Sequence, residues 1–127
     1  MDENEIGTCL VETATNIHRE VGPGLLEKVY ETILVHKLVI KGLNIKRQVS
    51  IPVEFNGLKF EEGFRADIII ENKVIVELKC VEKINIAHRK QLLTYLNLTD
   101  MRLGYILNFN EALMKRGIHR MVNNLRE

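Results

Sequence analysis

The chain has little cysteine and no long hydrophobic run, and each shortage excludes a class of protein. Its two cysteines, Cys9 and Cys80, form neither a metal-binding spacing nor a disulfide framework, and they fit a reduced cytoplasm. No apolar run approaches the ~20 residues that cross a bilayer, and the acidic stretch MDENEIG is unlike a signal peptide. We therefore expect a cytoplasmic protein without a membrane segment.

Net charge is also small. The formal value is +1, although 28% of the residues are charged, so the chain has no coat of positive charge. Any contact with nucleic acid must then come from a local patch. The 127 residues are 46% hydrophobic and contain no repeat or linker. A chain of this length can bury about two thirds of its unfolded surface. We expect one globular domain over residues 1–127.

Apolar periodicity predicts helices and strands in the order ααββββαβα. The segments with helical spacing are residues 4–20, 25–41, 86–97 and 117–125. The segments that read as strands are residues 49–55, 58–60, the two halves of 65–79, and 104–109. Asn56-Gly57 is a strong hairpin signal between the first two strands. This order predicts an α/β fold with a mixed central sheet flanked by helices.

Charged residues interrupt the two most apolar strands, RADIIIENKVIVELK at residues 65–79. A strand normally gains by excluding charge, because an unpaired buried charge is costly. Side chains alternate along a strand, so Glu77 and Lys79 share one face, roughly 7 Å apart. A turn centred on Asn72 would bring Asp67 opposite Glu77. The sequence thus predicts two facing acids with a lysine beside them.

Two readings of these charges are open. Like charges opposite each other destabilise a sheet, so Asp67 and Glu77 indicate a cation between them, and oxygen ligands favour Mg²⁺ or Mn²⁺. Lys79 would then contact a phosphate or water at the metal, an arrangement that serves phosphodiester hydrolysis. Alternatively, Asp67 and Lys79 form an ordinary ion pair and Glu77 is solvated. The spacing alone favours neither reading.

Helical residues add weaker signals. His88, Gln91 and Tyr95 share one face of the helix at residues 86–97, where they could lie beside the acids. Taken alone, the stripe is better explained by solvent exposure of the first two and packing of the tyrosine. Glu27 falls in the first turn of the second helix, where an acid interacts favourably with the helix N-terminus without forming a site.

Four blocks together resemble a known family. GLLEKVY at residues 24–30 resembles the Gly-x-x-Glu-x-x-Tyr signature of the small bacterial and archaeal GxxExxY proteins. RADIII, IVELK and HRKQLLTYL resemble that family's other blocks, and the likeness covers about residues 17–125. The family is similar to the RecB-like branch of the PD-(D/E)XK nuclease superfamily. The resemblance implies a restriction-endonuclease-like core.

The resemblance also implies roles for the strand residues. It makes Asp67, Glu77 and the Leu78 carbonyl ligands of Mg²⁺ or Mn²⁺. It makes Lys79 the residue that orients the attacking water and stabilises charge on the phosphate. Ala66 stands where the superfamily name has proline, a departure that removes no ligand.

On the helices, the resemblance makes Gln91 and Tyr95 a Q-x-x-x-Y pair that positions Lys79 or the substrate backbone. It makes Glu27 the helix-borne acid that acts on the metal directly or through water. Arg89-Lys90, which add positive charge beside these residues, would suit a phosphate.

The expected function is hydrolysis of phosphodiester bonds by a metal-dependent nuclease, with nucleic acid as the partner and DNA ahead of RNA. A domain of this size offers little surface for holding a duplex, which favours a homodimer. Two alternatives stay open: a catalytically inactive nucleic-acid-binding or regulatory module that retains the nuclease fold, and a purely structural interaction protein. The full set of acids and lysine argues against an inactive site, while the near-neutral charge argues against tight autonomous DNA binding.

Overall fold

The chain folds into helices packed on both faces of a β-sheet, in a computed structural model that describes residues 1–60 and 64–126. The helices are α1 (Glu3–Val21), α2 (Glu27–Ile40) and α3 (Ile86–Thr99). The strands are β1 (Ile45–Ser50), β2 (Val53–Phe55), β3 (Leu58–Phe60), β4 (Arg65–Ile70), β5 (Val74–Lys79), β6 (Leu103–Asn108) and β7 (Ile118–Val122). Within the described ranges, no helix is long and apolar enough to span a bilayer.

The central sheet has five strands in the order β1-β4-β5-β6-β7. β5 and β6 are parallel and joined through α3, whereas the other neighbours are antiparallel. β2 and β3 form a separate hairpin. The predicted mixed sheet flanked by helices is therefore confirmed.

Apolar side chains cover both faces of the middle strands. Ile68, Val76 and Leu107 belong to a core shared with α1 and α2, whereas Ile75 and Ile106 belong to a core shared with α3. Strand alternation directs successive residues to these two cores, and a strand buried on both faces reads as a nearly continuous apolar run. The charged residues Glu77 and Lys79 therefore lie at the end of a strand that is otherwise buried.

The prediction of a closing helix over residues 117–125 is wrong. The segment forms β7, which pairs antiparallel with β6 from Leu103↔Val122 to Leu107↔Ile118. Its sequence IHRMV has too few residues to make an isolated helix stable. As a strand, it satisfies backbone groups along the edge of β6 that would otherwise be unpaired.

The strand predicted over residues 49–55 is interrupted. β1 begins earlier, at Ile45, and ends at Ser50, and Pro52 follows without an N–H to donate to a ladder. The hairpin predicted at Asn56-Gly57 is confirmed: the two residues have φ values of 49° and 82°, the left-handed conformation of a tight hairpin turn.

Candidate active site

The β4–β5 ladder stops where Asp67 begins. Its last pair is Ile68↔Val76, and the same register continued places Asp67 across from Glu77. Instead of a backbone pair, Asp67 Oδ2 accepts a hydrogen bond from the Leu78 N–H at 2.8 Å. The carboxylate therefore takes the place of a ladder partner and is held against the end of β5.

Glu77 is a buried acid with an unsatisfied oxygen. Its residue is 5% exposed, and Oε1 has no hydrogen-bond partner in the part of the chain that the structure describes. Burial is the main cause that raises the pKa of Glu77 to about 9, and the charge of Asp67 and a hydrogen bond with its side chain raise it further, against the opposing charge of Lys79. Without a cation, Glu77 is protonated at neutral pH. The expectation of a solvated Glu77, one part of the ion-pair reading, is thus wrong.

Lys79 and Glu27 complete a charged group around the two acids. Lys79 is the half-buried last residue of β5, and its charge lowers the pKa of both Glu77 and Glu27. Glu27 is the exposed first residue of α2. Partial burial of its carboxyl and the charge of Asp67 raise the pKa of Glu27, and together they outweigh the lowering by Lys79. These four residues lie close enough to perturb one another, although they come from three elements.

Buried Asn108 fixes the turn that follows Lys79. Its side-chain Oδ1 accepts from the Val81 N–H at 3.2 Å, and its Nδ2 donates to the Val81 carbonyl at 2.9 Å. The Phe109 N–H donates to the Lys79 carbonyl at 3.0 Å. Asn108 is not among the site residues predicted from the sequence, where its signal is a polar residue inside the apolar run GYILNF.

Tyr95 reaches the same region from α3. It is 2% exposed, its ring meets Phe64 edge-on at 5.9 Å, and its hydroxyl accepts from the Arg65 N–H at 3.4 Å. Burial raises the pKa of the Tyr95 hydroxyl, and the charges of Glu77 and Asp67 raise it further. Tyr95 therefore lies within electrostatic range of both acids.

Gln91 and His88 are not drawn into the acidic group. Gln91 lies one turn before Tyr95 and is exposed. No hydrogen bond joins it to either strand acid in the described ranges. His88 belongs to the N-terminal capping box of α3, where its Nδ1 accepts from the Asn85 N–H and Asn85 Oδ1 accepts from the His88 N–H. On the polar face of α3, His88 therefore caps the helix, whereas Gln91 faces solvent.

Three residues that sequence analysis did not assign to the site lie behind Asp67. Buried Glu31, one turn after Glu27, accepts from Arg47 Nε at 3.0 Å and Nη2 at 2.8 Å. Gln48 Nε2 donates to Glu31 Oε1 at 2.8 Å and to Asp67 Oδ1 at 3.5 Å. In the sequence, the signal for these residues is the pair of acids at i and i+4 in α2, Glu27 and Glu31. Like charges at this spacing destabilise a helix unless other groups offset them.

The donor set fits a hard divalent cation. Among the residues described, no group of three or more His, Cys, Asp and Glu side chains could hold a metal. The candidate set has two carboxylates, from Asp67 and Glu77, and the Leu78 carbonyl would complete it. A cation there would replace the proton on Glu77 and satisfy its orphaned oxygen. All these donors are oxygens, which suit Mg²⁺ and Mn²⁺.

Comparison with protein families gives one match. The model of the PD-(D/E)XK nuclease superfamily matches residues 4–121, a range that contains every residue of the candidate site. Comparisons with curated proteins and with solved structures found no match. The closer likeness to GxxExxY proteins and to the RecB-like branch stays a prediction.

Proposed function

Because the chain belongs to the PD-(D/E)XK nuclease superfamily, we propose that it hydrolyses phosphodiester bonds of nucleic acid with the help of a divalent cation. The observation that carries this proposal is the buried Glu77 carboxyl, whose unpartnered oxygen and raised pKa are unfavourable in the metal-free protein. A stable fold gains nothing from such a group, whereas perturbed acids are common at sites of chemistry.

The cation would be Mg²⁺ or Mn²⁺. Asp67, Glu77 and the Leu78 carbonyl would hold it, with Glu27 acting through a water. When bound, it polarises a phosphoryl oxygen and lowers the pKa of the attacking water. Asp67 is already held by the Leu78 N–H, so little rearrangement of β4 and β5 is needed to bring the donors together.

Lys79 would supply the positive charge that the protein itself brings to the reaction. Its ammonium orients the attacking water and stabilises the negative charge that develops on the phosphate. The hydrogen bond from Phe109 to the Lys79 carbonyl holds the strand end that carries it. Tyr95, which lies within electrostatic range of both acids, and exposed Gln91 would position Lys79 or the substrate backbone.

DNA is the substrate we propose ahead of RNA, and a homodimer is the form in which the chain would hold a duplex. The net charge of +1 leaves no broad cationic surface. Affinity for the phosphate backbone must therefore come from cations near the site or from a second copy.

The test uses Mn²⁺ with the wild-type protein and the Asp67→Asn variant. Mn²⁺ should support cleavage of nucleic acid by the wild type and raise its free energy of unfolding, by about 2.7 kcal/mol at 100 times Kd. Asp67→Asn should abolish both effects, because the neutral amide is a weaker ligand than a carboxylate. Thermal melts and a panel of single-stranded, duplex and branched substrates measure these effects.

Asp100→Asn is the matched control. Asp100 is exposed and caps α3 at a φ of 57°, a conformation that asparagine also adopts readily. This variant should cleave and respond to Mn²⁺ as the wild type does. If the wild type cleaves none of the substrates with Mn²⁺, an inactive binding or regulatory module becomes the better account.

A further inference from the structure

Gln48 has a backbone conformation that is unusual within a strand. Its φ is 50°, a left-handed value that costs free energy for any residue except glycine. The β1–β4 register pairs Arg47↔Ile68 and Val49↔Ala66, but it has no pair between Gln48 and Asp67. The strained residue therefore sits directly across from Asp67, where the ladder is interrupted.

This conformation turns two consecutive side chains toward the same partner. In a regular strand, Arg47 and Gln48 would point to opposite faces of the sheet. Here both donate to Glu31, Arg47 to Oε2 and Gln48 to Oε1. The left-handed residue is what allows β1 to present both donors to one buried carboxylate.

The Gln48 amide lies between two carboxylates. Glu31 and Asp67 accept hydrogen bonds when ionised and have no donor to offer, so the NH₂ group of Gln48 must face them both. The contact with Glu31 is short, at 2.8 Å, and that with Asp67 is longer, at 3.5 Å. Arg47 anchors Glu31 from the other side, in an ion pair of 2.8 Å.

Both oxygens of Asp67 are thus held from different strands. Oδ2 accepts from the Leu78 N–H of β5, and Oδ1 accepts from Gln48 of β1. We propose that Gln48 is a positioning residue, which fixes the Asp67 carboxylate for the divalent cation through a brace formed by Gln48, Glu31 and Arg47. The inference rests on the proposed function, and it explains why a strained conformation persists at this residue.

Gln48→Gly separates positioning from stability. Glycine adopts a positive φ without strain, and this gain offsets the loss of the hydrogen bond to buried Glu31, so the melting temperature of the metal-free variant should stay close to that of the wild type. Loss of the amide should weaken Mn²⁺ binding about 10- to 100-fold, the usual effect of removing a hydrogen-bond partner of a metal ligand. Isothermal titration of the full-length protein with Mn²⁺ measures the affinity, and a thermal melt without metal measures the stability.

Asn56→Gly is the matched control, since it places glycine at another left-handed position, with a φ of 49°, in the β2–β3 hairpin. Its Mn²⁺ affinity should equal that of the wild type. If Gln48→Gly does not fold, Gln48→Met gives the same comparison, because methionine has a similar length and no donor. A wild-type Mn²⁺ affinity in the Gln48 variant would overturn the positioning role but not the proposed function. The same holds for a Mn²⁺ affinity that falls only together with the melting temperature. Absence of Mn²⁺ binding in the wild type would overturn the proposed function as well.

Discussion

Lys79→Ala should lower the rate of metal-dependent cleavage by about 10²–10³-fold, the usual cost of removing one group that stabilises charge in a transition state. The fold should be retained, because Lys79 is the half-buried last residue of β5 and its carbonyl keeps its hydrogen bond from Phe109. Mn²⁺ affinity should be equal or higher, since the variant removes a positive charge close to the acids. Single-turnover cleavage with saturating Mn²⁺ measures the rate, and a Mn²⁺ titration measures the affinity.

Lys83→Ala removes an exposed lysine four residues further along the chain and serves as the control. It should cleave at the wild-type rate. Wild-type cleavage by Lys79→Ala would place the chemistry in other residues, or in a contaminating nuclease.

Glu77→Gln should remove most of the loss of stability that the metal-free protein shows as the pH rises. The folded-state pKa of Glu77 is about 9, above its ordinary value of 4.5. Between these values the folded state holds a proton that the unfolded state has released, so the free energy of unfolding falls with rising pH. One pKa unit corresponds to about 1.4 kcal/mol, so this group alone can cost up to about 4 kcal/mol between about pH 5 and pH 8.

Denaturant unfolding at several pH values without metal measures this slope. Glu54→Gln is the control, because Glu54 is exposed on the β2–β3 hairpin, and this variant should keep the wild-type slope. Equal slopes for the wild type and Glu77→Gln would contradict the raised pKa, because they would show that Glu77 is already ionised in the folded protein at about pH 5. Mn²⁺ should flatten the wild-type slope, since a metal ligand must be deprotonated and binding favours that form.

The local geometry of the acids follows from the sequence because it depends on short-range rules. β4 and β5 are joined by a three-residue turn, so their alternation and the position of Asn72 determine which residues face each other. The observed pairs Ile68↔Val76 and Ile70↔Val74 follow this register. The hairpin turn at Asn56-Gly57 is equally local, because the two residues themselves favour a positive φ.

Other features depend on partners that are distant in the chain. β7 has the composition of either a short helix or a strand, and the open edge of β6 decides between them. The left-handed Gln48 is understandable only beside Glu31 and Asp67, which lie 17 and 19 residues away. A glutamine in a strand carries no local signal for such a conformation. The same holds for Arg47, a charged residue whose role in the fold depends on Glu31, 16 residues away in the chain.

We propose that Asp67 and Glu77 hold the divalent cation at which this chain acts. Anomalous diffraction from crystals soaked in millimolar Mn²⁺ tests it most directly. We expect a peak between the two carboxylates, with the Leu78 carbonyl also bound, at about 2.0–2.6 Å from each ligating oxygen. A fully soaked crystal with no peak at these residues, or with Mn²⁺ bound only elsewhere, would contradict it.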